Sequence, residues 1–333
     1  MIKFQGGGVY DALYLSFFAQ IQSGPLTRYC DSFYVTEKEK RKDLFSDGVL
    51  RFLIGFNKKI LLADMLANIT SEIFSNSFDF FSTAYAWFGS ICYSLQLFYD
   101  FSGYSDMAIG ISEMFGYRCM ENFTYPYITE SVTKFWRRWH ISLSQWFRDY
   151  IYIPLGGSQV KNKCRVYLNL FVVWMLTGIW HGASWHFVIW GMGYFILIAF
   201  ERATDIPNRF RTKAGRIAYR VFSLIFINCQ WVLFRADSVT AGLRFLKRMF
   251  IPTNVPLANM RTWFLVKDYF VFILAAIILC APTVSWIRGK TERIIWMRNL
   301  YETVIRIMVI MLFVWAVSFV VSGQNNPFAY ANF

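Results

Sequence analysis

Long apolar runs separated by short basic segments dominate the chain. Runs at about 80–101, 166–180, 185–200, 217–234, 268–287 and 301–321 predict spanning or deeply buried helices. A shorter run at 12–26 (ALYLSFFAQIQSGPL) is broken by Gly24-Pro25 and reads as a buried or re-entrant piece. Residues 37–43 (EKEKRKD) read as a solvated loop or helix start. Residues 44–70 carry apolar positions at helical spacing, interrupted by Lys58-Lys59, which predicts a tilted or interfacial helix. The runs at 166–180 and 185–200 are so close that they must form a hairpin. Lys161, Lys163 and Arg165 precede it, and Arg202, Arg209, Arg211, Lys213, Arg216 and Arg220 follow it. Both its ends lie on one side, which the positive-inside bias assigns to the cytoplasm. The basic stretch 235–267 leaves room for a re-entrant segment in the C-terminal third. No repeat or low-complexity tract divides residues 1–333, so they read as one membrane domain.

Composition narrows the class. Hydrophobic residues make up 56% of the 333 positions, aromatics 20% and charged residues 17%. A soluble globule could not hide so many large rings, and a disordered chain would not contain them. The pattern predicts an all-α, polytopic transmembrane bundle with interfacial and re-entrant helices. The formal net charge of +13, from 34 Lys and Arg against 21 Asp and Glu, suits an anionic leaflet. No nucleic-acid module is visible, so no nucleic-acid partner is expected. The six cysteines, at 30, 92, 119, 164, 229 and 280, form no CxxC pair, and neither a zinc knuckle nor a redox dithiol is indicated. The N-terminus lacks the shape of a cleavable signal peptide.

Three stretches could carry chemistry. The first is SVTKFWRRWHISLSQWFRDYIYIPLGG, residues 131–157. On a helical wheel starting at Trp136, Trp139, Leu143, Trp146, Phe147 and Tyr150 fall between about 280° and 20°. Lys134, Arg138, Ser142, Gln145 and Asp149 fall between about 160° and 240°. One amphipathic helix over 131–150 is therefore expected, with His140 at the edge of its aromatic face. Its bland alternative is an interfacial helix whose arginines meet lipid phosphates. The second stretch is LTGIWHGASWHF, residues 176–187, which holds two of the three histidines. His181 ends an apolar helix at the hairpin tip, and an imidazole there suits general-base work. It can equally be a structural histidine bound to a backbone carbonyl. His186, five residues on, lies about 140° away around a helix, which does not support a two-histidine metal site. The third stretch is FYDFSGYSDMAIG, residues 98–110. Asp100 and Asp106 lie beside apolar residues, where acids need a partner. Each could pair with an arginine or approach the histidines, and their spacing gives them different tasks.

Together these stretches resemble the hallmark segments of the membrane-bound O-acyltransferase (MBOAT) family, nearest its bacterial alginate O-acetylation branch. A related branch transfers D-alanine toward teichoic acids. Tyr-Ile-Pro-Leu-Gly-Gly at 152–157 favours the acetylation branch. The resemblance extends over about residues 13–321. It implies a helical fold around a tunnel, in the bacterial cytoplasmic membrane. It places the family's Trp-His-Gly histidine on His181 and its Trp-His-Ile-Ser histidine on His140. It further implies an acyl thioester donor, such as acetyl-CoA, with no permanently bound cofactor or metal. The acceptor would be an envelope polysaccharide hydroxyl, reached directly or through an extracytoplasmic partner acyltransferase. Arg137, Arg138, Trp136, Trp180, Asp100 and Asp106 are the candidate substrate-binding residues. The alternatives are D-alanyl transfer and a non-catalytic acyl conduit. Relatives carry further helices before the segment YLSFFAQIQSGPLTRY, so the chain reads as N-terminally shortened. Ala19 stands where relatives commonly have proline.

Overall fold

The computed structural model describes residues 41–76, 81–251, 256–323 and 326–327, with residues 12, 14, 16 and 24–26. Most of the predicted 12–26 run, Ala19 and the charge run up to residue 40 lie outside the described residues. The described residues form helices and connecting loops, with no strand among them.

Helix α1 (Arg41–Asn57) continues through a π-helical stretch, Lys58–Ala63, into α2 (Asp64–Ser75). Residues 59–67 are buried. The expected interfacial helix over 44–70 is thus corrected to a pair of helices, with the π-helical stretch and most of α2 inside the bundle. Lys58-Lys59, which interrupts the apolar spacing, pointed to an interfacial helix, but Lys59 is buried among partners of its own.

Helix α3 (Thr83–Met114) is the central element, longer than the predicted 80–101. Ser82 caps its start by accepting the Tyr85 N–H at 3.2 Å. Its serines are buried, and several bond back within the helix or across it. Ser94 Oγ donates to Asn228 Oδ1 at 2.7 Å, and Asn228 Nδ2 donates to Ser90 Oγ at 2.9 Å. Small residues bring backbones together where lipid supplies no hydrophobic drive. Gly48 and Gly55 of α1 meet Gly110 and Gly103 of α3 in antiparallel register. A Cβ on Gly110 would lie 2.6 Å from the Gly48 carbonyl oxygen, and one on Gly55 2.5 Å from that of Gly103.

Beyond α3, the chain passes through two short helices, α4 (Val132–Trp136) and α5 (Ile141–Phe147), and a π-helical turn at Arg148–Tyr152. The single amphipathic helix expected over 131–150 is therefore broken, at His140, whose backbone is left-handed (φ 44°, ψ 54°). The break turns Ser142, expected on the polar face, into the interior.

The hairpin forms as predicted, with α6 (Lys163–His181) and α7 (Trp185–Thr204) both longer than the runs that signalled them. Its arms touch at backbone distance, since a Cβ on Gly178 would lie 2.7 Å from the Phe187 carbonyl oxygen. Helix α8 (Lys213–Arg235) packs beside it, and Gln230 Nε2 donates to the Trp190 carbonyl at 2.8 Å. Helix α9 (Val239–Phe250) returns onto α3. The run 268–287 is corrected too. It holds α11 (Phe270–Leu279) and the start of α12 (Thr283–Thr291), and α11 is bent by 70° from the preceding α10 (Met260–Asp268), as in a broken span or re-entrant loop. Helix α13 (Ile295–Val321) closes the described fold, and most of its apolar side chains face outward, as a lipid-facing helix requires. Among the described residues, α7, α8 and α13 are long and apolar enough to cross a membrane, as is the α10–α11 pair if counted as one span.

One charged cluster stands inside the bundle. Lys59 Nζ lies 2.6 Å from Asp64 Oδ1 and 2.9 Å from Asp100 Oδ1, and donates to the Pro327 carbonyl at 3.3 Å. Exposures are 4% for Lys59, 1% for Asp64 and 2% for Asp100. Removing one member of such a group leaves uncompensated charge, which costs about 3–5 kcal/mol. Lys59→Met is therefore expected to lower the melting temperature of the detergent-solubilised protein sharply. Adding Asp64→Asn should restore part of the loss, and a melting temperature unmoved by Lys59→Met would contradict this account.

Candidate active site

His181 is the last residue of α6, and it is 4% exposed. Its ring packs edge-on against Trp190 (5.0 Å between centroids) and Phe234 (5.1 Å), and lies 4.8 Å from Trp180. His140 is 3% exposed and meets the Phe101 ring of α3 edge-on at 4.6 Å. Trp180 also faces it at 6.4 Å, so this one indole lies against both imidazoles. The two histidines, 41 positions apart in sequence, are thus brought to one tryptophan. His186 is elsewhere, with its Nδ1 2.8 Å from Ser184 Oγ.

The break in the chain at His140 is what brings the pair together. A straight helix would carry residues 141–147 onward from α4 (Val132–Trp136). The left-handed residue instead redirects the chain, and Asn122 receives it. The Ile141 N–H donates to the Asn122 carbonyl at 3.0 Å, and His140 Nδ1 lies 3.2 Å from Asn122 Oδ1. The other end of α4 is fixed by Glu201 of α7. Its carboxylate accepts the N–H groups of Val132 and Thr133, each at 2.8 Å, and the Tyr219 hydroxyl at 2.9 Å. An anion on the first N–H groups of a helix is favourable, and this one ties α4, α7 and α8 together.

Two cavities approach His140, one through Asn122 and the other through Ile141. One, of about 330 Å³, is lined by Lys58, Asp106 and Glu121, by Ser102, Ser105 and Asn122, and by the rings of Phe98, Phe123 and Tyr125. Asp106 accepts from Arg51 Nη2 at 3.0 Å and lies 2.6 Å from Lys58 Nζ. The other, of about 540 Å³, is lined by Trp136, Trp174, Thr177, Arg137 and Arg148, and by Ile141 next to His140. Arg148 is paired with Asp149 at 2.6 Å. Both volumes fall in the range of small-molecule sites.

Among the residues singled out in the sequence, His140, His181 and Trp180 come together. Trp136 joins them through Trp190, its ring 5.8 Å from that indole, and lines the larger cavity with Arg137. Asp106 lines the smaller cavity. Asp100 is held in the Lys59 cluster, so the two acids do have different partners. Arg138 lines neither of these cavities, and its carbonyl accepts the Thr124 N–H at 3.0 Å. Asn122 and Glu201 had no signal in the sequence, because each works through one tertiary contact and not through a periodic pattern.

A pair of buried histidines against one tryptophan, with two cavities near His140, invites comparison with known proteins. The model of the MBOAT, membrane-bound O-acyltransferase, family matches residues 10–241. The chain belongs to the membrane-bound O-acyltransferase family. Among MBOAT relatives, the probable alginate O-acetylase AlgI of Azotobacter vinelandii is 42% identical over 240 residues, 72% of this chain and 47% of the relative. The peptidoglycan O-acetyltransferase of Helicobacter pylori is 37% identical over 254 residues, 75% of this chain and 48% of the relative. The teichoic acid D-alanyltransferase of Bacillus subtilis is 31% identical over 204 residues, 56% of this chain and 49% of the relative. The chain thus spans about half the length of the curated relatives it matches. The MBOAT match contains His140, His181, Asn122 and Glu201, and both helices of the hairpin.

Proposed function

We propose that the protein transfers an acetyl group from a cytoplasmic thioester, such as acetyl-CoA, to a hydroxyl of an extracytoplasmic envelope polysaccharide. It would do so in the bacterial cytoplasmic membrane, directly or through a partner acyltransferase. The observation that carries this reading is the pair of buried histidines, His140 and His181, against the Trp180 ring, with one cavity reaching Asn122 beside His140 and another reaching Ile141. Three relatives named for acyl transfer support the reaction class.

The step is an acyl exchange. The acceptor oxygen bonds to the carbonyl carbon as a histidine takes the hydroxyl proton, and the tetrahedral intermediate then expels the thiolate, which receives that proton. His181 is the base in this reading, and His140 holds the acceptor hydroxyl or stabilises the oxyanion. Burial of both rings excludes water, which would otherwise hydrolyse the thioester. Arg137 and Arg148 beside the larger cavity match a donor that carries phosphates. The smaller cavity suits a neutral polyhydroxyl compound, because carboxylates, hydroxyls and an amide line it along with aromatic faces.

The test compares the esters on envelope glycans, by mass spectrometry, between a wild-type strain and one lacking the gene. Loss of an acetyl ester, restored by the gene in trans, is the expected result. Loss of a D-alanyl ester would move the acyl group to the alternative branch, and an unchanged ester inventory would overturn the proposal.

A further inference from the structure

Asn122 lies in the segment between α3 and α4 and is 1% exposed. Its side-chain orientation follows from its neighbours. The Ser142 backbone N–H points at one atom of the carboxamide from 3.2 Å, and the Ser142 hydroxyl reaches the same atom at 2.9 Å. A backbone N–H only donates, so that atom is the amide oxygen. The amide nitrogen faces the other way and donates to Ser105 Oγ at 3.1 Å. The third group on the oxygen is His140 Nδ1, at 3.2 Å. An acceptor that already faces two donors leaves the imidazole nitrogen one role, that of a donor carrying the proton. A neutral ring protonated at Nδ1 has its lone pair at Nε2.

We propose that Asn122 is a positioning residue that locks His140 in its Nδ1–H tautomer, so that Nε2 orients the acceptor by accepting a hydrogen bond from a second, non-reacting hydroxyl and does not donate to the oxyanion. This rests on the reading of His140 as part of the acyl-transfer site, and it chooses between the two roles left open there. The backbone adds to the lock, because the Ile141 N–H donates to the Asn122 carbonyl at 3.0 Å. A carboxamide is the suitable partner for this task. It orients the ring without the negative charge by which a carboxylate would favour imidazolium and fill Nε2 with a proton. The groups around the ring are Phe101 from α3, and Trp180 and His181 from α6. Lys58, Asp106 and Glu121 are the charged groups of the cavity that Asn122 lines.

The chain's three histidines make the tautomer directly measurable. Protein labelled with 15N-histidine and held in nanodiscs gives long-range nitrogen–proton correlations for each ring, and the His140 set is assigned by its loss in His140→Asn. The expected pattern has the proton on Nδ1 and none on Nε2. In Asn122→Asp, the acid limb of the transfer–pH profile is expected to move to higher pH by about one unit, roughly a tenfold change in the ring's protonation equilibrium. A wild-type His140 ring protonated at Nε2, or an acid limb that stays in place in Asn122→Asp, would overturn the inference. The two readings fail separately. Full transfer activity in His140→Asn would remove His140 from the chemistry, whereas an inactive His140→Asn with the proton on Nε2 defeats only the role of Asn122.

Discussion

Replacing His181 by glutamine should reduce acetyl transfer by about 10²–10⁴-fold, the usual contribution of a positioned general base. That corresponds to roughly 2.7–5.5 kcal/mol of transition-state stabilisation. Glutamine is the informative choice because the imidazole sits in a closed aromatic box of Trp180, Trp190 and Phe234. Alanine would empty that box and add a packing cost to the chemical one. Glutamine retains bulk and a polar end but cannot take a proton at neutral pH. The measurement pairs labelled-acetyl incorporation into surface glycan with a melting curve of the purified variant. A large loss of transfer with little change in melting is expected. Unchanged transfer would remove His181 from the mechanism, as a passive acyl conduit requires.

A second large structural effect is expected at the α1–α3 crossing. In Gly110→Leu the new Cβ would lie 2.6 Å from the Gly48 carbonyl oxygen and 2.7 Å from the Phe52 nitrogen, both backbone atoms that cannot turn aside. The helices must separate, breaking the matched approach at Gly55 and Gly103 on the same seam. Overpacking of this kind costs about 3 kcal/mol, the upper end of the usual range. The variant should melt lower and show earlier proteolysis in detergent. Gly289→Ala in α12 is the control, because no atom lies within 4 Å of its Cβ position. Helix propensity alone predicts a gain there of about 0.5–1 kcal/mol. Equal melting temperatures for Gly110→Leu and the wild type would show that the seam is not close-packed in the membrane protein.

Much of this fold could be read from the chain because membrane helices are written in long apolar runs. The hairpin, α8 and α13 appear where hydrophobicity placed them, with ends that extend by a few residues into polar sequence. Legibility failed where a single residue overrides periodicity. The wheel over 131–150 is regular, yet the helix is interrupted between Trp136 and Ile141, where His140 is left-handed and Asn122 accepts the Ile141 and Ser142 N–H groups from outside. Lys58-Lys59 pointed to an interfacial helix, because the apolar spacing does not show that Lys59 has its counter-ions inside the bundle at Asp64 and Asp100. The two histidines were legible as chemically active types. That they share a tryptophan is a fact of tertiary structure alone.

The left-handed backbone of His140 also determines how substitutions there must be interpreted. Residues with a Cβ pay about 1–2 kcal/mol in this conformation, and asparagine, aspartate and histidine tolerate it better than most. His140→Ala would therefore change two quantities at once, the imidazole and the ease with which the chain turns between α4 and α5. His140→Gly would err in the other direction by relaxing the turn. Asparagine keeps the backbone preference and discards only the ring, so the difference between His140→Asn and His140→Ala is itself a measure of how much of the site's geometry is stored in one bend.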